Sequence, residues 1–149
     1  MIVVGYQGIG KSTLAGKHNC IDLESGNFWV NGERSSDWYR AYCQIAIHLS
    51  EQGYTVFTSS HQVVREQLEN CTEKVVVIFP SINLKDEWLS KLEDRWNATK
   101  LDKDFKAFAN ARERYMENIV ELMCGNLATY EITSMDYSLE DIVNQLKDM

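Results

Sequence analysis

Short apolar runs alternate along this chain with longer stretches in which apolar residues recur every three or four positions. Ile2-Val3-Val4 is the first run, and residues from Lys11 to about Lys17 read as a helix after it. His18-Asn19 breaks that helix before a short second strand, Cys20-Ile21-Asp22-Leu23. Residues 24 to 36 are polar and rich in turn formers (Ser25-Gly26-Asn27, then Asn31-Gly32), with Phe28-Trp29-Val30 between them. Asp37 is placed to cap a helix whose Trp38, Tyr42, Ile45, Ala46 and Leu49 keep helical spacing, and Gly53 ends it. Tyr54 to Thr58 is a β-branched and aromatic strand, followed by Ser59-Ser60-His61 and a helix to about Glu69. Val75 to Phe79 is continuously apolar, as a strand covered on both faces would be, and Pro80 stops it. Trp88, Leu89, Leu92 and Trp96 mark the next helix, which Asn97-Ala98-Thr99 should break. A long helix then runs from about Asp102 to Met123, with Gly125 past its end. Leu127 to Ile132 is the last strand. Ser138 caps a final helix with Asp141 three residues on and an apolar face of Leu139, Ile142, Val143 and Leu146.

Strands alternating with helices imply a parallel sheet covered by helices, an α/β architecture. Right-handed crossovers would bring the loops after the strands to one edge of that sheet, where a ligand mouth belongs. The 149 residues suit one domain, residues 1–149, with no room for a second. The net charge of −7 weighs against a long nucleic-acid track, which wants a basic face, but leaves room for a small anionic ligand. Cys20, Cys43, Cys71 and Cys124 are widely spaced without metal-ligand pairing, and fit reduced thiols in a cytoplasmic protein. The first strand begins at residue 2, leaving no room ahead of it for a signal peptide. No run reaches the ~18 apolar residues that span a membrane.

Candidate chemistry concentrates at the start. Gly5-Tyr6-Gln7-Gly8-Ile9-Gly10-Lys11-Ser12-Thr13 is a full G-x-x-x-x-G-K-[ST] match between a strand and a helix. Its glycines allow positive φ and let backbone N–H groups approach phosphate oxygens, with the helix N-terminus adding further donors. Gln7, Gly8, Ile9, Gly10, Lys11, Ser12 and Thr13 are therefore the expected cradle for ATP or another nucleoside triphosphate. Lys11 would reach the β- and γ-phosphates and the Ser12 hydroxyl would ligate Mg²⁺.

The third strand ends Thr58-Ser59-Ser60-His61, without the Asp of a typical Walker B strand. That leaves Asp22, at the end of the second strand with Glu24 two residues on, for the metal or for a hydroxyl proton, unless it only caps its own turn. Ser59, Ser60 and His61 face the same mouth, though His61 also suits the mere start of a helix. On the long helix, Phe105, Phe108, Ala109, Tyr115, Met116, Ile119 and Val120 form a stripe with Arg112 in its middle and Arg114 on the far side. A guanidinium there should meet either a carboxylate or bound phosphates. Lys91 and Arg95 share one helix face, which could be a lid over the triphosphate or simply a solvated surface. Arg34 and Arg65 are candidates for gripping an acceptor's phosphate. Trp29, Trp38 and Tyr39 could stack on a base or belong to the core.

With these residues the chain resembles the small P-loop nucleotide kinases of the adenylate-kinase-like group, and looks most like the short versions carried by bacteriophages and prophages. The phosphate loop carries the likeness. The segments Ile21 to Ser25, Ser59 to Arg65 and Ala111 to Tyr115 match more loosely, and there is no Asp-Gly-x-Pro-Arg at the third strand. The resemblance implies a three-layer α/β/α P-loop NTPase fold, a five-stranded parallel sheet in the order 2-3-1-4-5. It also implies a substrate-binding insert at about 24–52 and a lid at about 81–104, too short for a zinc ribbon. Arginines of the lid (Arg95) and of the following helix (Arg112) would lie on the phosphates. The implied activity is transfer of the ATP γ-phosphoryl group to a (deoxy)nucleoside monophosphate. A kinase for a hydroxy acid or sugar acid, one for a nucleic-acid end or modified base, and a non-catalytic nucleotide-binding regulator stay open beside it.

Overall fold

In the computed structural model, which describes Met1–Met149, the chain forms a five-stranded, all-parallel sheet flanked by helices. The strands are β1 (Ile2–Gly5), β2 (Cys20–Asp22), β3 (Thr55–Thr58), β4 (Val75–Pro80) and β5 (Ala128–Ile132), in the spatial order β2-β3-β1-β4-β5. The expected order 2-3-1-4-5 is the one observed. Burial agrees with it: every residue of β3, β1 and β4 is buried, including Thr55 and Thr58, which requires central positions with both faces covered. β2 and β5 are only partly buried and take the edges.

The helices are α1 (Lys11–Leu14), α2 (Trp38–Glu51), α3 (Gln62–Leu68), α4 (Lys85–Thr99), α5 (Asp102–Met123) and α6 (Leu139–Lys147). No helix is long and apolar enough to cross a membrane. From β1 the chain moves to one side of the sheet and from β3 it crosses to the other, so the strand order reverses beside β1. Ligands of open α/β sheets lie at such a reversal, outside the carboxyl ends of the strands. The Gly5–Lys11 loop leaves β1 at that place.

Several elements differ from the pattern reading. The first helix does not reach Lys17: Ala15 is extended (φ −57°, ψ 130°) and Gly16 has φ 80°, so α1 is a single turn. α2 buries Trp38, Tyr42, Cys43, Ala46 and Ser50, while Ile45 is exposed, because Cys43 and Ser50 rotate the inner face away from it. Asp37 makes no capping bond and instead accepts from Ser35 Oγ. Pro80 is the last residue of β4, paired beside Ile132, and the ladder ends as Ser81 N–H donates to Ile132 O at 2.8 Å. Asn97-Ala98-Thr99 stays helical and the turn falls at Lys100, in the left-handed region at φ 58°. The cap of α6 is as expected, with Ser138 Oγ accepting from Asp141 N–H at 3.2 Å.

α5 shows the largest departure. Its inner stripe is Asp104, Phe108, Ala111, Tyr115, Ile119 and Leu122, spaced four, three, four, four and three apart, while Phe105, Met116 and Val120 are exposed. Arg112 therefore sits beside the buried stripe rather than in it. At Arg114 the backbone leaves helical geometry (φ −133°, ψ 21°), and Tyr115 beyond it donates its hydroxyl to Ser81 O at 2.7 Å.

The mouth is braced by Tyr42, which is fully buried. Its hydroxyl donates to Leu23 O at 2.6 Å and accepts from Ser59 N–H at 2.9 Å, tying the ends of β2 and β3 together. Burial pushes its ionisation up to about 12. Tyr42→Phe should lower the unfolding free energy by about 1–3 kcal/mol, because it leaves the Ser59 N–H and the Leu23 carbonyl without this partner. Chemical denaturation checks this, and an unchanged midpoint would contradict the brace.

Candidate functional site

The glycine loop is held from behind. Trp88 of α4 donates its indole N–H to Gln7 O at 2.9 Å, and the Tyr137 hydroxyl donates to Ile9 O at 2.8 Å. Their two rings stack, with centroids 6.0 Å apart at 18°. Gly8 (φ 89°) and Gly10 (φ 110°) take the left-handed conformations that turn the chain between these anchors. With its carbonyls occupied at the back, the loop leaves the N–H groups of Gln7, Gly8, Gly10, Lys11 and Ser12 without an acceptor in the chain. Unpaired donors gathered in one concave turn form an anion-binding nest. The helix behind them is only the single turn of α1, so the donors outweigh any helix dipole.

Lys11 bends back to donate to Gly5 O at 3.3 Å. Burial holds its ammonium below the usual lysine range, while Asp22 and Glu24 pull it up and Arg95 lowers it further. Asp22, at the end of β2, is raised by burial and by Glu24 against the opposing pull of Lys11, Lys103 and Arg95. A lysine and a carboxylate that face each other while both are partly desolvated are poised to trade partners for a charged ligand.

In front of the loop lies an open cleft of about 550 Å³, lined by Gly8, Gly10, Lys11, Ser12, Asp22 and Glu24 and walled by Arg34, Arg95 and Lys103. Arg34 stacks over Trp38 at 3.9 Å and Trp29 at 4.8 Å, and it has no carboxylate partner. Arg95 Nε lies 3.0 Å from Asp104 Oδ1 in an ion pair. Trp29 belongs to the cleft wall and is half exposed, whereas Trp38 is buried among Phe28, Tyr42 and His61. Tyr39 does not line this cleft.

A second cavity of about 500 Å³ adjoins the first and shares Gln7, Lys11, Ser59 and His61 with it. Its far wall is the polar face of α5, Asn110, Arg114 and Asn118, opposite Ser60 and Arg65. Arg65 is buried, its Nε donating to Ser60 O at 3.0 Å and its Nη2 pairing with Glu121. Gln7 links the loop to this wall, its Nε2 donating to Ala107 O at 3.0 Å. His61 precedes α3, its ring nitrogen 2.8 Å from Ser59 Oγ; burial, Arg34 and Lys11 keep it below the usual histidine range. A third cavity of about 300 Å³, on the other flank of the loop, is bounded by Ile9, Thr13, Leu14, Lys91, Met135 and Tyr137. Lys91 there donates to the Tyr137 hydroxyl at 2.8 Å.

Arg112 lies outside both larger cavities, exposed, with its guanidinium 5.4 Å from the Phe108 ring centroid. The expected positions of the two α5 arginines are thus reversed: Arg114 faces the site and Arg112 does not. The kink at Arg114 and the shifted buried stripe account for the exchange. Asp104 and the carbonyl anchors Trp88 and Tyr137 were outside the sequence-based site. Trp88 carried only the signal of an apolar helix position, and the acid in the first turn after Thr99 was the one available hint of Asp104.

No group of three or more His, Cys, Asp and Glu side chains comes together to hold a metal ion. A scan against protein-family models and a search of curated proteins return no match to the chain.

Gly8 gives the most direct check on the loop's packing. A Cβ built there would lie 2.9 Å from Leu92 Cδ2 and 3.1 Å from Trp88 Nε1, at a φ of 89°. Gly8→Ala should therefore cost about 1–3 kcal/mol in denaturant unfolding, from overpacking and backbone strain together. A variant as stable as the parent would mean the loop is not pinned as described.

Proposed function

We propose that the chain is a Mg²⁺-dependent P-loop phosphotransferase that moves the γ-phosphoryl group of ATP to a (deoxy)nucleoside monophosphate. The observation that carries this is the set of unpaired N–H groups of Gln7, Gly8, Gly10, Lys11 and Ser12, beside a partly desolvated lysine. A polyphosphate supplies the acceptors those donors lack. Charge distribution supports the same view. The chain carries −7 overall, yet Lys11, Arg34, Arg65, Arg95, Lys103 and Arg114 converge on two adjoining cavities. Concentrating cations in a cleft of an acidic protein draws in small anions without creating a nucleic-acid track.

The donor's phosphates would lie in the loop, with Lys11 turning from Gly5 O to the β- and γ-phosphates. Its base suits the third cavity, between Leu14, Met135 and Tyr137. The residues present fit Mg²⁺ carried on phosphate oxygens: the exposed Ser12 hydroxyl and the Asp22 carboxylate line one cleft and would hold the ion between them. Bound there, Mg²⁺ neutralises charge on the β- and γ-phosphates. Trp29 and Arg34 give the acceptor an aromatic surface and a free guanidinium, and Arg65 and Arg114 stand at the second cavity. An aromatic wall and this much space suit a nucleotide better than a small hydroxy acid.

A phosphate acceptor attacks through an oxygen already ionised at neutral pH, so the chain need not provide a general base. As the new O–P bond forms, the bond from the γ-phosphorus to the β,γ-bridging oxygen breaks and the diphosphate departs. What the protein contributes is alignment of the two oxygens and cations around the transferred group. Arg95 on the α4 side, and Arg114 on the α5 side where it pairs with Glu117, would supply those cations.

Lys11→Ala should reduce acceptor-dependent ATP consumption by at least about 10²-fold. Because burial already opposes its charge, its removal should not lower the melting temperature. Arg114→Ala should slow turnover more than Arg112→Ala. A panel of ribo- and deoxynucleoside monophosphates with simple hydroxy acids alongside reads all three. Wild-type turnover in Lys11→Ala, or a loss confined to Arg112→Ala, would refute the assignment.

A further inference from the structure

The corner between α4 and α5 holds the only acidic side chain buried in the protein. Asp104 is 5% exposed, accepts the Thr99 hydroxyl, and forms an ion pair with Arg95, whose Nε lies 3.0 Å from Asp104 Oδ1. Thr99 Oγ1 in turn accepts Leu101 N–H at 3.2 Å, so the left-handed turn at Lys100 is already closed by Thr99. Closing a turn does not require a carboxylate in a buried place, since a hydroxyl already does it. The extra feature is what the carboxylate does to Arg95. Arg95 is 41% exposed, and a long side chain with that much freedom would ordinarily sample many rotamers. The contact through Nε uses the inner edge of the guanidinium. It leaves the two terminal nitrogens, with four of the five N–H donors, for the cleft that both residues line with Lys11 and Lys103.

We propose that Asp104 is a positioning residue, which fixes Arg95 so that its terminal N–H fork faces phosphates held in the glycine loop. The role rests on the phosphotransferase reading above, since it presumes phosphates at Gly8–Ser12. Asp104 itself touches no substrate. It also offsets repulsion among Lys11, Arg95 and Lys103, which lets three cations share one wall before any anion arrives.

Kinetics and side-chain NMR test this together. Arg95→Ala and Asp104→Asn should each lower kcat by roughly a hundredfold with little change in KM for ATP. The double variant should be no slower than Arg95→Ala alone, because the two residues act as one unit. Arg95→Lys should be as slow as Arg95→Ala, since an ammonium cannot bind Asp104 and still present a fork. Thr99→Val removes the turn contact and the hydroxyl bond to Asp104 but leaves the ion pair with Arg95, and should lower the melting temperature while keeping most of kcat. Wild-type kcat in Asp104→Asn, or losses that add in the double variant, would overturn the role. If Asp104→Asn does not fold, Arg95→Lys decides alone, and retained kcat there overturns it.

Independently of turnover, the Nε–H signal of Arg95 should shift when ATP and Mg²⁺ are added, and should also move in Asp104→Asn, where the facing negative charge is lost. If ATP moves the amides of Gly8 and Gly10 but not that signal, the positioning role fails and the loop assignment stands. If neither moves, the nucleotide reading falls and the role falls with it.

Discussion

Everything at the mouth of this sheet depends on where two carbonyl groups point. A glycine loop left to itself can turn either N–H or C=O groups toward a ligand, and only the first choice attracts an anion. Here the choice is made from outside the loop, by an indole N–H on Gln7 O and a phenol O–H on Ile9 O. The donors belong to a helix and a segment far along the chain, and their rings stack on each other. Orientation of the loop is therefore a tertiary property. Its N–H groups point forward because α4 and the segment before α6 hold its back.

Electrostatics follow from the same arrangement. Lys11 reaches the loop by giving up water, and its charge is maintained there chiefly by Asp22 and Glu24. Asp22 is desolvated in turn. Neither group is at its most favourable there, a condition that clusters at functional sites. The remaining cations are restrained by different means: Arg34 by two indoles, Arg65 by Glu121 and the Ser60 carbonyl, Arg95 by Asp104. Restraint before binding reduces the ordering that a ligand must impose.

Much of the framework was legible in the sequence because it rests on local, repetitive signals. The continuous apolar run of β4 marks a strand covered on both faces, short apolar or β-branched runs mark β1 and β3, and the motif from Gly5 to Thr13 locates the mouth. The failures share one cause. Helical periodicity averages over a regular helix, and α5 is not regular: the irregular backbone at Arg114 and an inner stripe passing through Asp104 and Ala111 bring Arg114, not Arg112, to the cleft. Ala15 and Gly16 ended α1 early through backbone conformation that no side-chain pattern records. Trp88, Tyr137 and Asp104 act through partners 81, 128 and 5 to 9 positions away. A buried position in a helix looks the same whether its polar atom is idle or anchors a loop.

The central claim is that the free N–H groups of Gln7, Gly8, Gly10, Lys11 and Ser12 receive a polyphosphate while Trp88 and Tyr137 hold the loop from behind. A crystal structure of the protein with Mg²⁺ and a non-hydrolysable ATP analogue tests it most directly. The account predicts phosphate oxygens within hydrogen-bond distance of the Gly8, Gly10, Lys11 and Ser12 amides, with both carbonyl anchors intact. Nucleotide bound elsewhere, or a loop whose Gln7 and Ile9 carbonyls have turned toward the cleft, would contradict it.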